Sequence, residues 1–291
     1  MTTAKPGGST RDNWQYNGNS YCRYLGLGQE GLTMNVEVDP EIFLTYRARD
    51  IQTKMSDDPF CIDIDSDPII AFTELQKKGF DQAPIRSGQT EIGYVLTKDL
   101  KGAKTIESVF HKLSPEDLIS GDAPLNDLLQ RLVKQPLIFI VGKNGIDGFA
   151  VPSDIGRHVS RAHLYLLISG LEILMTRFVA NQNFADDEIT SYMKPSSRKA
   201  RAKDLRLGYD ANAVEYLDIV GLGKLLAKIK SPIIHLGVKE ADWLSYIKGL
   251  ASLRNWVAHS NTEQITKQPF HDIVGRAQTT EKYIKRLNTY S

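Results

Sequence analysis

The chain has 291 residues, of which 41% are hydrophobic and 24% charged, and its formal net charge is +1. This length exceeds what one ordinary core supports, so it predicts a soluble globular protein of two domains. A charge so close to zero excludes overall basicity as a reason to bind nucleic acid, and an RNA-binding surface would need local basic clusters. Cys22 and Cys61 are too few for a disulfide framework or a zinc cage, and the opening residues lack a secretory-signal pattern. We therefore expect a cytoplasmic protein.

The chain divides into three segments by composition and period. Residues 1–35 are rich in Gly, Asn, Ser and Thr and have no sustained period, which predicts a flexible N-terminal arm. Residues 36–157 contain short apolar runs separated by turn residues, and this pattern occurs twice. Each copy predicts a strand, an amphipathic helix opened by a proline dipeptide, two strands and a closing acidic turn. The closing turns are Gly-Tyr-Val-Leu-Thr-Lys-Asp at 93–99 and Gly-Phe-Ala-Val-Pro-Ser-Asp at 148–154.

This order of elements, with both closing turns in register, resembles a tandem pair of CBS modules. The resemblance implies two β-α-β-β-α modules that form a pseudo-symmetric disc with clefts between them. In that family the clefts often hold adenosine nucleotides, so it implies AMP, ADP or ATP as a regulatory ligand. The same resemblance assigns Asp99 and Asp154 to ribose contact and gives Pro84 a part in shaping the first cleft, where the second copy has Phe139. The alternative is that each aspartate only caps the helix that follows it.

The closing turns depart from the family at the hydroxyl position. The usual motif carries Ser or Thr three residues before the aspartate, and this chain has Leu96 and Val151 there. Thr97 and Ser153 lie close to these positions and are included among the candidate nucleotide contacts. A neighbouring side chain on an extended strand points in a different direction, so neither replaces the missing hydroxyl without a backbone adjustment. One missing hydrogen bond weakens binding by roughly 0.5–1.5 kcal/mol, so adenosine binding would be weaker and not abolished.

Residues 158–291 show helical periods and almost no strand pattern. The predicted fold class is therefore α+β, with the paired modules followed by an all-α helical bundle. The apolar stretch at 164–179 is interrupted by polar residues and predicts a buried helix, with no membrane span. Glu172 lies within that stretch; we interpret it as solvent-exposed, with pairing to Arg254 as the alternative.

The segment Arg254-Asn255-Trp-Val-Ala-His259 resembles the Arg-x4-6-His signature of HEPN domains, which are small helical bundles that often act as ribonucleases or toxin effectors. The resemblance implies a metal-independent endoribonuclease: His259 as general acid or base, Arg254 stabilising charge on phosphorus, and Asn255 orienting the phosphate or imidazole. Positions 254 and 259 are about 140° apart on an ideal helix, so one helix cannot present both together. In the HEPN family two copies meet face to face, which implies a homodimer.

Two alternatives stay open. Arg254 and His259 can be structural, in a degenerate HEPN fold that binds a protein partner without catalysis. The basic run at 194–206 is either an RNA-guiding rim or a solvated helix face. The first hypothesis is thus a nucleotide-sensing ribonuclease of the kind used as a regulated toxin or defence effector, with an RNA substrate. The second is a non-enzymatic nucleotide-binding regulator. The scattered histidines predict no metal site.

Overall fold

A computed structural model describes residues 46–258 and 269–290 of the chain. The predicted arm at 1–35 and the predicted acid–base residue His259 lie outside these ranges. Within them, every strand precedes residue 151 and the longer helices follow residue 157. The prediction of a mixed α and β part followed by a helical part is therefore confirmed.

The strand-containing part consists of eight short strands and three helices. The strands are β1 (Thr53–Lys54), β2 (Ile62–Asp63), β3 (Gln82–Ser87), β4 (Thr90–Leu96), β5 (His111–Lys112), β6 (Leu118–Ser120), β7 (Ile138–Gly142) and β8 (Gly145–Ala150). The helices are α1 (Pro68–Lys78), α2 (Thr97–Leu100) and α3 (Leu125–Leu132). The Asp67 carboxylate starts α1 by accepting from the backbone N–H groups of Ile69 and Ile70, and Gly79 ends it with φ 68°.

The strands form two four-stranded sheets of identical design, in the orders β2-β3-β4-β5 and β6-β7-β8-β1. In each sheet the first pair is parallel and the other two pairs are antiparallel. We call the first sheet with α1 and α2 the first module, and the second sheet with α3 the second module. The fourth strand of each sheet is exchanged: β1 precedes the first module but completes the second, and β5 precedes the second but completes the first.

A glycine in each closing turn permits this exchange. A Cβ atom at Gly93 would lie 2.0 Å from the carbonyl oxygen of His111 in β5, and one at Gly148 would lie 2.5 Å from the carbonyl oxygen of Thr53 in β1. Any side chain would push the fourth strand away, so glycine is required where the exchanged backbone approaches. The repeated glycine of the sequence thus has a steric reason in each module.

The helical part contains seven helices within the described residues. They are α4 (His158–Ala180), α5 (Asp186–Ser191), α6 (Pro195–Arg206), α7 (Ile219–Ile229), α8 (Ser231–Leu236), α9 (Glu240–Ala258) and α10 (Phe270–Asn288). Helix α4 packs against α7, α9 and α10 and is the centre of the bundle. By length and composition α4 is the one described helix apolar enough to cross a membrane, but half of its apolar window is buried, as in core helices of globular proteins. The prediction of a buried helix here is confirmed.

The apolar core is divided unequally between the modules. The first module has a small core of its own, which includes Leu75, Ile85 and Val95. The core of the second module, around Leu125 and Leu129, is continuous with the core of the helical bundle. The second module and the helices therefore share one packed interior, and the first module does not take part in it.

Candidate functional site

Asp99 lies in the short helix α2, directly after β4. Its carboxylate is about one-third exposed, and its Oδ2 is 3.5 Å from Nε2 of His111. The His111 ring stacks on Tyr94, with ring centroids 4.9 Å apart and planes within 9°. His111 comes from the exchanged strand β5. The first module thus presents the Asp99 carboxylate and the half-exposed His111 imidazole at its surface, while the buried Tyr94 ring supports the imidazole from the inside.

The other two residues predicted for the first cleft are engaged in the fold. Pro84 is buried in β3, opposite Tyr94 of β4. The Thr97 hydroxyl donates to the carbonyl oxygen of Phe80 at 2.6 Å, and the Thr97 N–H donates to that of Asp81 at 2.8 Å. The Thr97 hydroxyl is therefore directed at the loop after α1. It does not replace the hydroxyl that the closing turn lacks at Leu96.

Asp154 has a different environment from Asp99. One carboxylate oxygen accepts from the Val151 N–H at 2.8 Å, and the other accepts from Nε of Arg157 at 2.7 Å. Arg157 also donates to the carbonyl oxygen of Gln52 and to the Thr53 hydroxyl, which ties β1 to this turn. Burial raises the pKa of Asp154, while the Val151 and Arg157 hydrogen bonds lower it. Asp154 caps the 3-10 helix Pro152–Gly156, on which Ser153 is exposed.

The two closing turns therefore differ in whether their aspartate carboxylate is available to a ligand. Asp154 is 6% exposed and both of its oxygens already accept hydrogen bonds. Asp99 does not cap its helix, and among the described residues its carboxylate contacts the side chain of His111 alone. A carboxylate that accepts from hydroxyl groups, next to an aromatic ring that stacks on a planar base, has the chemistry to hold a nucleoside. Only the first module offers both groups at its closing turn.

Arg254, in the last part of α9, faces α4. Its Nε lies 3.3 Å from Oε2 of Glu172, an ion-pair contact without hydrogen-bond alignment. The interpretation of Glu172 as solvent-exposed is wrong, because its side chain is 17% exposed. Burial raises the pKa of Glu172 to about 7; Arg254 lowers it and Asp218 raises it further. An ion pair between α9 and α4 thus uses the guanidinium that the sequence predicted to bind phosphate.

The residues around Arg254 fix the end of α9. Trp256 and Val257 are buried. Arg161 of α4 donates to the carbonyl oxygens of both, at 3.3 and 2.8 Å, and so supplies a cation to the end of the helix. Asn255 is exposed, on a different side of α9 from Arg254. The described residues therefore do not bring Arg254 and Asn255 together within one protomer.

The basic run of the sequence lies on and beside α6. Lys194 pairs with Asp218 at 2.8 Å, and Arg201 pairs with Asp186 at 2.5 Å. Lys199 is among the exposed residues of α6, no residue of which is buried. Part of the run therefore holds the helical region together, and the remainder is a solvated face.

No protein-family model matches the chain, and neither does any curated protein. Solved CBS structures match part of it. CBSX2 from Arabidopsis thaliana in complex with AMP is 16% identical, with 40% of this chain and 98% of that one covered at a TM-score of 0.36. The CBS domain of the bacterial CNNM/CorC family Mg²⁺ transporter in complex with ATP is 17% identical, with coverages of 40% and 87% and a TM-score of 0.35. A CBS-containing hemolysin-like protein of Oenococcus oeni is 14% identical, with 40% and 90% coverage and a TM-score of 0.34. At these scores the likenesses carry no argument about what the chain binds.

Proposed function

We propose that the chain is a regulatory protein that binds an adenine nucleotide in the first module and responds through its helical part. The observation that carries this proposal is the contrast between the closing turns. Asp99 leaves a partly exposed carboxylate beside the stacked rings of His111 and Tyr94. A ribose hydroxyl can donate to that carboxylate, and an adenine base can stack on the outer face of the His111 imidazole, because Tyr94 is buried behind it. Asp154 has no free oxygen to offer in the same way.

The response is proposed to pass through the second module, because its core is continuous with the helices. Helix α10 packs on α3, and Asn126 of α3 donates to the Glu281 carboxylate of α10. The buried ring of His163 in α4 lies 3.4 Å from the same amide group. The two modules share a further apolar cluster of Tyr94, Leu137 and Phe139. A ligand that favours one arrangement at Tyr94 would shift the populations of the helices through these contacts.

The test is a titration of AMP, ADP and ATP by calorimetry, with the unfolding midpoint followed in parallel. A ligand that prefers the folded state raises the midpoint. Asp99→Asn removes one charge and little volume, and it should weaken binding about tenfold or more, because hydrogen bonds to charged groups are the strong ones. Glu74→Gln, at an exposed position of α1, is the matched control and should bind like wild type. Absence of binding by all three nucleotides would overturn the proposal.

The response has its own readout. Hydrogen exchange of the α10 amides should change when nucleotide is added to wild type, and it should stay unchanged in Asp99→Asn at the same concentration. Binding without any change in α4 or α10 would leave the first module as a nucleotide site and remove the regulatory part of the proposal.

A second candidate function is a metal-independent endoribonuclease of the helical part, acting on RNA as a homodimer in the cytoplasm. What supports it is the sequence: a guanidinium at Arg254 in the last part of α9 and an imidazole five residues later at His259. A group that titrates near neutral pH can transfer a proton, and a neighbouring cation can stabilise phosphate charge. The composite site implied by the sequence resemblance further requires that two protomers join.

The ribonuclease proposal is tested with single-stranded RNA and wild-type protein in the presence of a chelator. Products that end in a 2′,3′-cyclic phosphate are expected, and His259→Ala should abolish them. Lys199→Gln, on the solvated face of α6, is the control and should cleave normally. Cleavage that survives both His259→Ala and Arg254→Gln would come from a contaminant. A monomer in sedimentation at working concentration would contradict the composite site. Either result would leave the non-enzymatic regulator, with a protein partner on its helices, as the remaining hypothesis.

A further inference from the structure

A cavity of about 620 Å³ lies between the second module and the helical part. One wall is formed by α3 and the residues after it, and the other wall by the first half of α10. Asp99 and Asp154 are not among its lining residues. Its volume lies within the range of small-molecule sites, which commonly occur where two units of a protein meet.

Basic residues line this cavity on both walls. Arg131 lies in the last turn of α3 and Lys134 follows that helix, and His271 is in the first turn of α10, where its Nε2 lies 3.2 Å from Oδ1 of Asp272. Arg131 donates to the Leu118 carbonyl oxygen at 2.5 Å, which fixes its guanidinium near the rim. Lys134 is exposed and forms no ion pair within residues 46–258 and 269–290. The N-terminal end of the 19-residue helix α10 adds partial positive charge at the same place.

The lining of the cavity combines apolar and polar side chains. Ile119 of β6 and Val274 of α10 are buried lining residues, and Val133 is 43% exposed. A site with apolar lining residues and basic residues on both walls suits a molecule that has an apolar or planar body and an anionic end. Asp127 is the one carboxylate among its lining residues, beside Arg131 and Lys134. The lining therefore carries one more positive than negative formal charge, and the Asp272 carboxylate contacts His271.

Gly275 lies on the cavity wall in the middle of α10. A Cβ atom built there would meet nothing within 4 Å, so no neighbouring atom requires glycine at this position. Glycine in the interior of a helix costs roughly 1 kcal/mol relative to alanine. The physical effect of this glycine is to leave open the space that a side chain would fill.

We propose that this cavity between α3 and α10 is a binding site for a small organic phosphate. The phosphate would contact Arg131, Lys134 and His271, and the apolar part would lie over Gly275 against Ile119 and Val274. Because one wall belongs to the second module and the other to the helices, a ligand here would hold α3 and α10 together. The site is separate from the surface at Asp99, so it does not depend on the function proposed above.

The test is calorimetric titration of the full chain with ribose 5-phosphate and with AMP, at low salt. Gly275→Leu should fill the cavity and reduce binding of ribose 5-phosphate about tenfold or more, and the helix should not be weakened because leucine is a better helix former. Lys134→Gln should also weaken binding severalfold and should reduce its salt dependence. Lys77→Gln, at an exposed lysine in the last turn of α1, is the matched control and should bind like wild type.

Asp99→Asn tests whether this site is distinct from the one proposed in the first module. If both sites exist, AMP should bind wild type with two sites, Gly275→Leu should lose one of them, and Asp99→Asn the other. Ribose 5-phosphate affinity that is equal in wild type, Gly275→Leu and Lys134→Gln would overturn the proposal, and so would an absence of binding by both probes. Should Gly275→Leu fail to fold by circular dichroism, Lys134→Gln against Lys77→Gln decides the outcome.

Discussion

The two modules have the same strand order but opposite relations to the rest of the protein. The first module packs around its own small core and leaves Asp99 partly exposed beside His111. The second module shares its core with six of the seven described helices, α6 being the exception, and Asp154 uses both of its oxygens in backbone and side-chain contacts. Duplication of the strand order therefore does not duplicate its use: one module keeps an exposed polar surface, and the other connects the pair to the bundle.

The largest expected difference concerns the two cores. Leu75→Ala and Leu129→Ala each remove a fully buried side chain and should each lower the free energy of unfolding by about 2–5 kcal/mol. In native-state hydrogen exchange, Leu129→Ala should also reduce protection in α10, because its core is continuous with the helices. Leu75→Ala should leave α10 unchanged. Equal loss of protection in both variants would contradict the separation of the cores.

The glycines of the closing turns test the exchange of strands. Gly93→Ala and Gly148→Ala should each destabilise the protein by about 2–3 kcal/mol in urea unfolding, because the new methyl group overlaps the exchanged strand. The effect should be larger at Gly93, where the approach is closer. Ser87→Ala, at an exposed position of β3, serves as the control. If both glycine variants kept wild-type stability, the fourth strand of each sheet would not lie where it is described.

Substitution of Asp154 should lower the stability of the protein more than substitution of Asp99, because Asp154 makes more contacts. Asp154→Ala removes the acceptor of the Val151 N–H and of the Arg157 Nε–H, which should cost about 1–3 kcal/mol. Asp99→Ala loses only a long contact with His111 and should change stability by less than about 0.5 kcal/mol. Thermal unfolding in the absence of nucleotide measures both. A greater loss at Asp99 would reverse the assignment of the two turns.

The smallest expected effect is on the pH dependence of the free energy of unfolding, through a histidine at the junction of the second module with the helices. Burial lowers the pKa of His163 from 6.5 to about 4, and Glu281 raises it in part. Between these values the unfolded chain binds a proton that the folded protein does not, so stability falls as pH drops from 6.5 toward 4. By pH 5 the loss should be on the order of 1–2 kcal/mol relative to His163→Gln.

His111→Gln, in the first module, is the matched control and should keep the acid loss of wild type. Glu172 contributes a dependence of opposite sign, because its raised pKa makes stability fall as pH rises from 4.5 toward 7. That contribution is present in wild type and in both histidine variants, so it cancels in the comparison. Parallel stability curves for wild type and His163→Gln would contradict the prediction.

The pattern of the sequence was sufficient to predict the doubled module and the helical part. The apolar run at β7 and the glycine and aspartate of each closing turn are local features with a clear period or spacing. Strands β1 and β5 have two residues each, and two residues cannot show a period, so their exchange was beyond prediction. His111 was missed at the first-module site for the same reason, since it lies in β5.

The helical site shows a different limit of sequence reasoning. The motif at Arg254 and Asn255 is local, and its place late in a helix was predicted correctly. The partner of Arg254 is Glu172, which is distant in the sequence and was interpreted as solvent-exposed. Which helix face meets which neighbour is decided by packing of the whole bundle, and a single charged residue in an apolar helix gives no sign of its partner.

The exchanged strand β1 has a consequence for synthesis of the chain on the ribosome. Thr53 and Lys54 leave the ribosome before either sheet exists, and their partners Gly148 and Phe149 follow only after the whole first module has been made. Until then the backbone groups of β1 have no partner strand, whereas β5 can already complete the sheet of the first module. A shortened protein that starts at β2 would leave the β8 edge open, and such an edge can pair with another copy.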